Sequence, residues 1–164
     1  MFGALKKMFG GGQEEQKKVI LAPVSGTVIP MSQVADPTFS QEILGKGVAI
    51  VPDSGVFVAP ADGEVAVMFE TKHAVSIKAD CGAEFIIHIG MDTVNLKGEH
   101  FTSFVAQGDK VKAGDKLVEV DLEKVKEAGY DVTTPIVICN TPSFPGMVCH
   151  TGMEVKALDP IIEL

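Results

Sequence analysis

Tryptophan is absent from these 164 residues and Tyr130 is the sole tyrosine, which argues against a rich aromatic platform for stacking nucleobases. Positive charge is also scarce: 14 basic against 22 acidic side chains leave a formal net charge of −8. That balance repels a phosphate backbone, argues against nucleic acid, and suits partners that present basic patches. The three cysteines, Cys81, Cys139 and Cys149, are odd in number and form no C-x-x-C pair. They fit reduced thiols in a cytoplasmic protein better than a disulfide framework. No apolar run reaches the roughly 18 residues a membrane-spanning helix needs. The opening "MFGALKKMFGGG" is too short and too punctuated by glycine for a secretory signal.

What is present is β-like. A hydrophobic fraction of 46% and enough length for one domain support a packed core. From residue 18 onward, short apolar runs recur between Gly, Pro, Asp and Asn: "VILAPVSGTVIP", "GVAIVP", "GVFVAP", "GEVAVMFET", "HAVSIKAD", "EFIIHIG", "KLVEV" and "PIVICN". This spacing predicts an all-β sandwich or barrel, with one interior helix at 122–129 stopped by Gly129. "LAPVSGTV" and "VAPADGEV" share A-P-x-x-G-x-V at an offset of 37 residues. The echo predicts two similar sheets folded face to face, with strands crossing between them. Residues 1–17 read as a tail ahead of a domain at 18–164. Phe2, Leu5, Met8 and Phe9 with Lys6 and Lys7 leave two readings open, a mobile segment and a weak anchor on an anionic membrane surface.

The chemistry-bearing residues are histidines. His88 lies inside the apolar run "EFIIHIG", where an unpartnered imidazole costs desolvation. On a strand, Thr71, His73 and Val75 would share one face, and so would Glu84, Ile86 and His88. Three readings compete: satisfied core histidines, a metal site, and a phosphoryl-transfer pair. A metal site lacks further ligands, since neither H-E-x-x-H nor H-x-H occurs and the thiols are not at ligand spacing. Phosphoryl transfer suits two imidazoles, because a ring with a pKa of ~6.5 is largely neutral and nucleophilic at cellular pH. His100 and His150 lie by turns and are given no role, and Glu84 is read as exposed or supporting.

The motif "HIGMDTVNLKG", with "APVSGTVIPMSQVADPTF", "EILGKGVAIVP", "FETKHAVSI" and "VKAGDKL", resembles the glucose-type enzyme IIA of the bacterial phosphoenolpyruvate-dependent sugar phosphotransferase system. The likeness covers nearly the whole chain. It implies a β-sandwich of duplicated hybrid motif, a barrel-sandwich hybrid, with a shallow active site on one face. It implies that His88 is phosphorylated on Nε2, that His73 stabilises the phosphoryl group, and that Thr71 works with them in the relay. An apolar rim for partners would comprise Phe39, Ile43, Leu44, Phe69, Val75, Ile86, Met91 and Val94. Asp36 and Asp92 would meet basic side chains. The implied partners are a histidine-containing phosphocarrier protein and the IIB domain of a sugar permease, with regulatory targets as the alternative role. No cofactor and no intrinsic metal is implied; an interfacial zinc at His73 and His88 stays open. His100 departs from the usual Gly of "KGEGF", and Thr38 and Val75 stand where other residues occur, which bears on partner preference. A lipoyl-type carrier, suggested by "VKAGDKL" alone, lacks the modified lysine hairpin, and a zinc peptidase lacks ligands.

Overall fold

The computed structural model describes residues 18–164, so the tail lies outside the described residues. Each apolar run of the sequence becomes one strand or two. "VILAPVSGTVIP" gives β1 (Val19–Leu21) and β2 (Gly26–Pro30), because Pro23 and the turn at Ser25 break it. Next come α1 (Pro37–Ser40), β3 (Lys46–Pro52), β4 (Val56–Val58), β5 (Gly63–Met68), β6 (Ala74–Ala79) and β7 (Glu84–His88). After β8 (Phe101–Ser103), β9 (Lys110–Val111) and β10 (Lys116–Val120) comes α2 (Leu122–Glu127). Asp121 caps α2, and Gly129, with φ +95°, follows its end, close to the expected 122–129. The chain finishes with β11 (Thr134–Ile138), β12 (Val148–Cys149), β13 (Met153–Val155) and β14 (Pro160–Glu163).

These strands build a β-sandwich of one eight-stranded sheet, ordered β13-β2-β3-β11-β7-β6-β5-β9, and two small sheets, β1-β14-β12 and β4-β10-β8. The orders are palindromic: exchanging β2 with β5, β3 with β6, β11 with β7 and β14 with β10 maps the assembly onto itself. The hydrogen bonds obey the same exchange. Leu21 N donates to Pro60 O at 3.0 Å, and Val58 N donates to Pro23 O at 2.8 Å. Ala22 N donates to Asp159 O, and Ala59 N donates to Asp115 O. The duplication therefore runs through one continuous sheet, whereas the sequence echo had suggested two similar sheets.

A second echo belongs to it. "VKAGDKLVEV" (111–120) and "VKALDPIIEL" (155–164) align, and in both an aspartate side chain accepts from the lysine amide at 2.9 Å, Asp115 from Lys112 and Asp159 from Lys156. Gly114 and Leu158 both take positive φ at the matching turn, +99° and +79°. Only glycine does so at little steric cost, which hides the repeat from a search for glycine turns.

The pseudo-symmetry centre falls where Ile87 of β7 opposes Ile136 of β11. Both are fully buried in the main core with Phe57, Ile77, Phe85 and Ile138. A smaller cluster of Met31, Val34, Phe39, Ala49, Met91 and Val137 covers the opposite face of the large sheet. Truncating either isoleucine at the centre leaves a cavity that the knitted sheets cannot collapse. Ile87→Ala and Ile136→Ala should each lower the unfolding free energy by about 2–5 kcal/mol, read from urea denaturation with an unchanged slope.

Candidate functional site

His88 is the last residue of β7 and points to the outer face of the large sheet. Its neighbours Ile87 and Ile89 turn into the core, while Ile86 shares its face and is half-buried. The ring is held by a 2.8 Å hydrogen bond from Nδ1 to the carbonyl of Gly90. A carbonyl only accepts, so Nδ1 carries the proton and the lone pair of the neutral ring sits on Nε2. Gly90 presents its carbonyl through a left-handed backbone, φ +83°, and a Cβ there would strike Thr93 and the Asp131 carbonyl. Thr93 is fully buried and its hydroxyl donates to Ile89 O, while Met91 N donates to Asp131 O at 2.9 Å. The sequence signal for this support is a glycine two residues past a strand-end histidine.

His73 comes from the turn before β6. The ring centroids of His73 and His88 are 4.9 Å apart with the planes nearly perpendicular, at 86°. Thr71 Oγ1 lies 2.6 Å from His73 Nδ1. Strand alternation does not produce this pairing: β6 starts only at Ala74, and Lys72 adopts a left-handed φ of +62°. That turn breaks the period of two, and Val75 is the casualty. It pairs with Ile87 on the core face and is 1% exposed, so the expectation that Val75 joins a partner-facing rim is corrected. Ala74 takes the place opposite His88.

Apolar groups crowd the two rings. The Phe39 ring lies 4.9 Å from His88, and the Phe69 ring lies 5.6 Å from His73, edge-on. Phe39 and Met91 are nearly buried, whereas Ile43, Leu44, Phe69 and Val94 are exposed, Ile43 by 67%. Phe39 is delivered by α1, which sequence reading missed because the helix is a single turn. Its signal is "DP": Asp36 Oδ1 accepts from Thr38 N at 2.9 Å as the cap, with Pro37 at the first helical position.

Burial and the neighbouring His88 hold His73 down to a pKa of about 4. Burial also lowers His88, opposed by the Gly90 carbonyl and by the negative fields of Asp36 and Asp92. Both rings are thus held toward the neutral form. The pair offers two nitrogen ligands, short of the four a structural zinc takes, and the described residues contain no group of three or more His, Cys, Asp or Glu placed to hold a metal. His100 takes a positive φ of +75° and its carbonyl accepts from Asp121 N at 3.0 Å, and His150 Nε2 meets Glu163 Oε2 at 2.6 Å on the surface. Glu84 is exposed.

A β-sandwich that holds two perpendicular imidazoles, both pushed toward the neutral form, beside apolar and acidic side chains has the groups that nitrogen nucleophile chemistry requires. A family model described as phosphoenolpyruvate-dependent sugar phosphotransferase system, EIIA 1, matches residues 18–144, and the chain belongs to that family. It is 46% identical over 157 residues to a PTS system glucose-specific EIIA component of Halalkalibacterium halodurans, covering 96% of this chain and 91% of that one. It is 48% identical over 131 residues to a PTS system beta-glucoside-specific EIIBCA component of Bacillus subtilis, covering 80% of this chain and 22% of that longer protein. Among solved structures, glucose permease IIA from Mycoplasma capricolum superposes with a TM-score of 0.83 at 40% identity, covering 91% of this chain and 96% of that one. Among the described residues no helix is long and apolar enough to cross a membrane.

The depressed pKa values set a pH dependence. Unfolded histidine binds its proton near 6.5, whereas folded His73 waits until about 4. Between those values the unfolded state holds more protons, so stability is fully present above pH 6.5 and falls as pH drops toward 4. His73 should contribute a loss of roughly 1 kcal/mol per pH unit across that window, absent from His73→Gln in acid-dependent urea titrations. Proton NMR of the rings should show His73 titrating near 4 and His88 below the usual 6.5.

Proposed function

We propose that this chain is a cytoplasmic phosphocarrier of the sugar phosphotransferase system, and that His88 Nε2 is the atom that carries the phosphoryl group. The observation behind this reading is the 2.8 Å bond from His88 Nδ1 to Gly90 O, which leaves Nε2 unprotonated. Facing a phosphohistidine of the upstream phosphocarrier protein, Nε2 attacks phosphorus. A new N–P bond forms while the donor's P–N bond breaks, and its electron pair returns to the donor ring. The His88 ring, now bonded at Nε2 and protonated at Nδ1, is cationic, and the Gly90 carbonyl with Asp36 and Asp92 stabilises it. In the second step a cysteine thiolate of a permease IIB domain attacks phosphorus, and the N–P electron pair returns to His88.

His73 is assigned as the donor to the phosphoryl oxygens. Held neutral, it keeps one N–H; this assignment puts that proton on Nε2, which requires the Thr71 hydroxyl, 2.6 Å from Nδ1, to donate to the ring. Thr71 is then a positioning residue that sets the tautomer of His73. Phosphoryl transfer is mostly positioning and charge stabilisation, so a fixed donor beside the reacting atom carries much of the effect. Phe39 and Phe69 limit water around the N–P bond and slow its hydrolysis. Exposed Ile43, Leu44, Phe69 and Val94, with half-buried Ile86, nearly buried Phe39 and Met91, and acidic Asp36 and Asp92, form the docking rim for basic–apolar partner surfaces. Phosphorylation places about −1.5 to −2 charges in this rim, so regulatory partners that also dock there would distinguish the two states.

Intact-mass spectrometry after incubation with phosphoenolpyruvate, enzyme I and the phosphocarrier protein should show one acid-labile phosphoryl group. His88→Gln should show none; a phosphorylated His88→Gln chain would move the nucleophile elsewhere. His73→Gln should still accept phosphate but pass it to a IIB domain about 10²–10³-fold more slowly. Thr71→Val should slow the same step by less, and full onward activity in His73→Gln would remove its assigned role.

A further inference from the structure

We propose that the cavity walled by Leu44, Phe144 and Met147 is a docking groove for this chain's own residues 2–9. The cavity has a volume of about 510 Å³ and is lined by apolar side chains that include Ile43, Pro142 and Pro145. Its walls come from two segments tied together: Lys46 N donates to Thr141 Oγ1 at 3.0 Å, and that hydroxyl donates to Ile138 O at 2.6 Å. Ile43 and Leu44 stand 67% and 43% exposed at its mouth, an apolar surface that no described residue covers.

The chain enters the described fold at this groove. Lys18 accepts a hydrogen bond on its carbonyl from Leu164 N at 2.8 Å, and its ammonium lies 5.8 Å from the ring centre of Phe144, a groove wall. Residues 10–17, "GGGQEEQK", therefore tether residues 2–9 at the edge of the cavity. Eight residues extend to roughly 27 Å, more than a cavity of this size demands. A tether so short and rich in glycine holds its cargo at an effective concentration on the order of millimolar. The cargo matches the groove in chemistry. Phe2, Leu5, Met8 and Phe9 supply apolar groups for the apolar walls, while the lining carries one charge of each sign, Glu42 and Lys46, and leaves Lys6 and Lys7 at the solvent side.

Occupation of the groove has a regulatory consequence, which rests on the phosphocarrier reading above. Ile43 and Leu44 belong both to the groove and to the rim assigned to partners. The seated segment withholds them, and a docking partner displaces it. The segment is thus a tethered competitor of modest strength.

The test uses the full chain with p-benzoylphenylalanine in place of Phe9, irradiated at high dilution and mapped by peptide mass spectrometry. Links within the chain should fall on residues 42–46 and 141–147, and Met147→Lys, which sets a charge in the groove, should cut their yield about tenfold. Links scattered over the surface, or a yield indifferent to Met147→Lys, would overturn the proposal. So would capture that appears only on lipid after anionic vesicles are added, which assigns the segment to the membrane. Amide NMR guards against a misfolded groove variant. Phe2→Ser with Phe9→Ser in the full chain should shift Gly45 and Phe144, and unmoved signals would equally reject the docking. Neither readout involves phosphate, so failure here leaves the carrier reading standing, and failure of that reading leaves the groove test intact.

Discussion

A single hydrogen bond, His88 Nδ1 to the carbonyl of Gly90, determines what the rest of this site is able to do. It settles which nitrogen holds the proton and turns the other outward. Everything around it serves to keep that carbonyl in place: the left-handed glycine, the buried Thr93 hydroxyl on Ile89 O, and the Asp131 carbonyl that takes Met91 N. These contacts come from residues 89–93 and 131, so β7 and the segment leading into β11 act as one rigid support. Preorganisation of this kind matters most where chemistry is slight and geometry decides the rate.

The electrostatics follow from the same support. Two imidazoles at 4.9 Å cannot both charge easily, and burial pushes both toward neutrality. Asp36 and Asp92 oppose that push at His88 but stand aside from direct contact, Asp36 being committed to capping α1. The arrangement keeps a free lone pair while leaving negative charge close enough to favour a positively charged ring. One short helical turn thereby supplies both the acid, as its cap, and the aromatic lid, as Phe39.

Much of this was legible in the sequence, for physical reasons. Runs such as "EFIIHIG" and "PIVICN" are apolar enough on both faces to be central strands, and both occupy the middle of the large sheet. The histidine pair was legible from a long motif. Val75 entered the rim through the resemblance, and counting alternation through Lys72 put it on the face of His73; the positive φ of Lys72 resets that register. The second repeat stayed hidden because Leu158 adopts a conformation that its partner turn assigns to Gly114. Strands of two or three residues, β8, β9, β12 and β13, carry too few alternations to be read before the sheets are assembled.

The pairing of β1 with β14 sets a condition on how the molecule is made. Val19 lies opposite Glu163, so a strand near the start of the chain finds its partner among the last residues. The other half is laced through the first by the exchanged Pro23 and Pro60 contacts, and neither half closes a core by itself. A ribosome adding about 5–20 residues per second releases β1 roughly 7–28 s before β14 emerges. Throughout that interval β1 lacks its partner, whereas β4 gains β10 about 40 residues earlier. The nascent chain is therefore a late closer at β1, whose edge stays open until β14 has emerged.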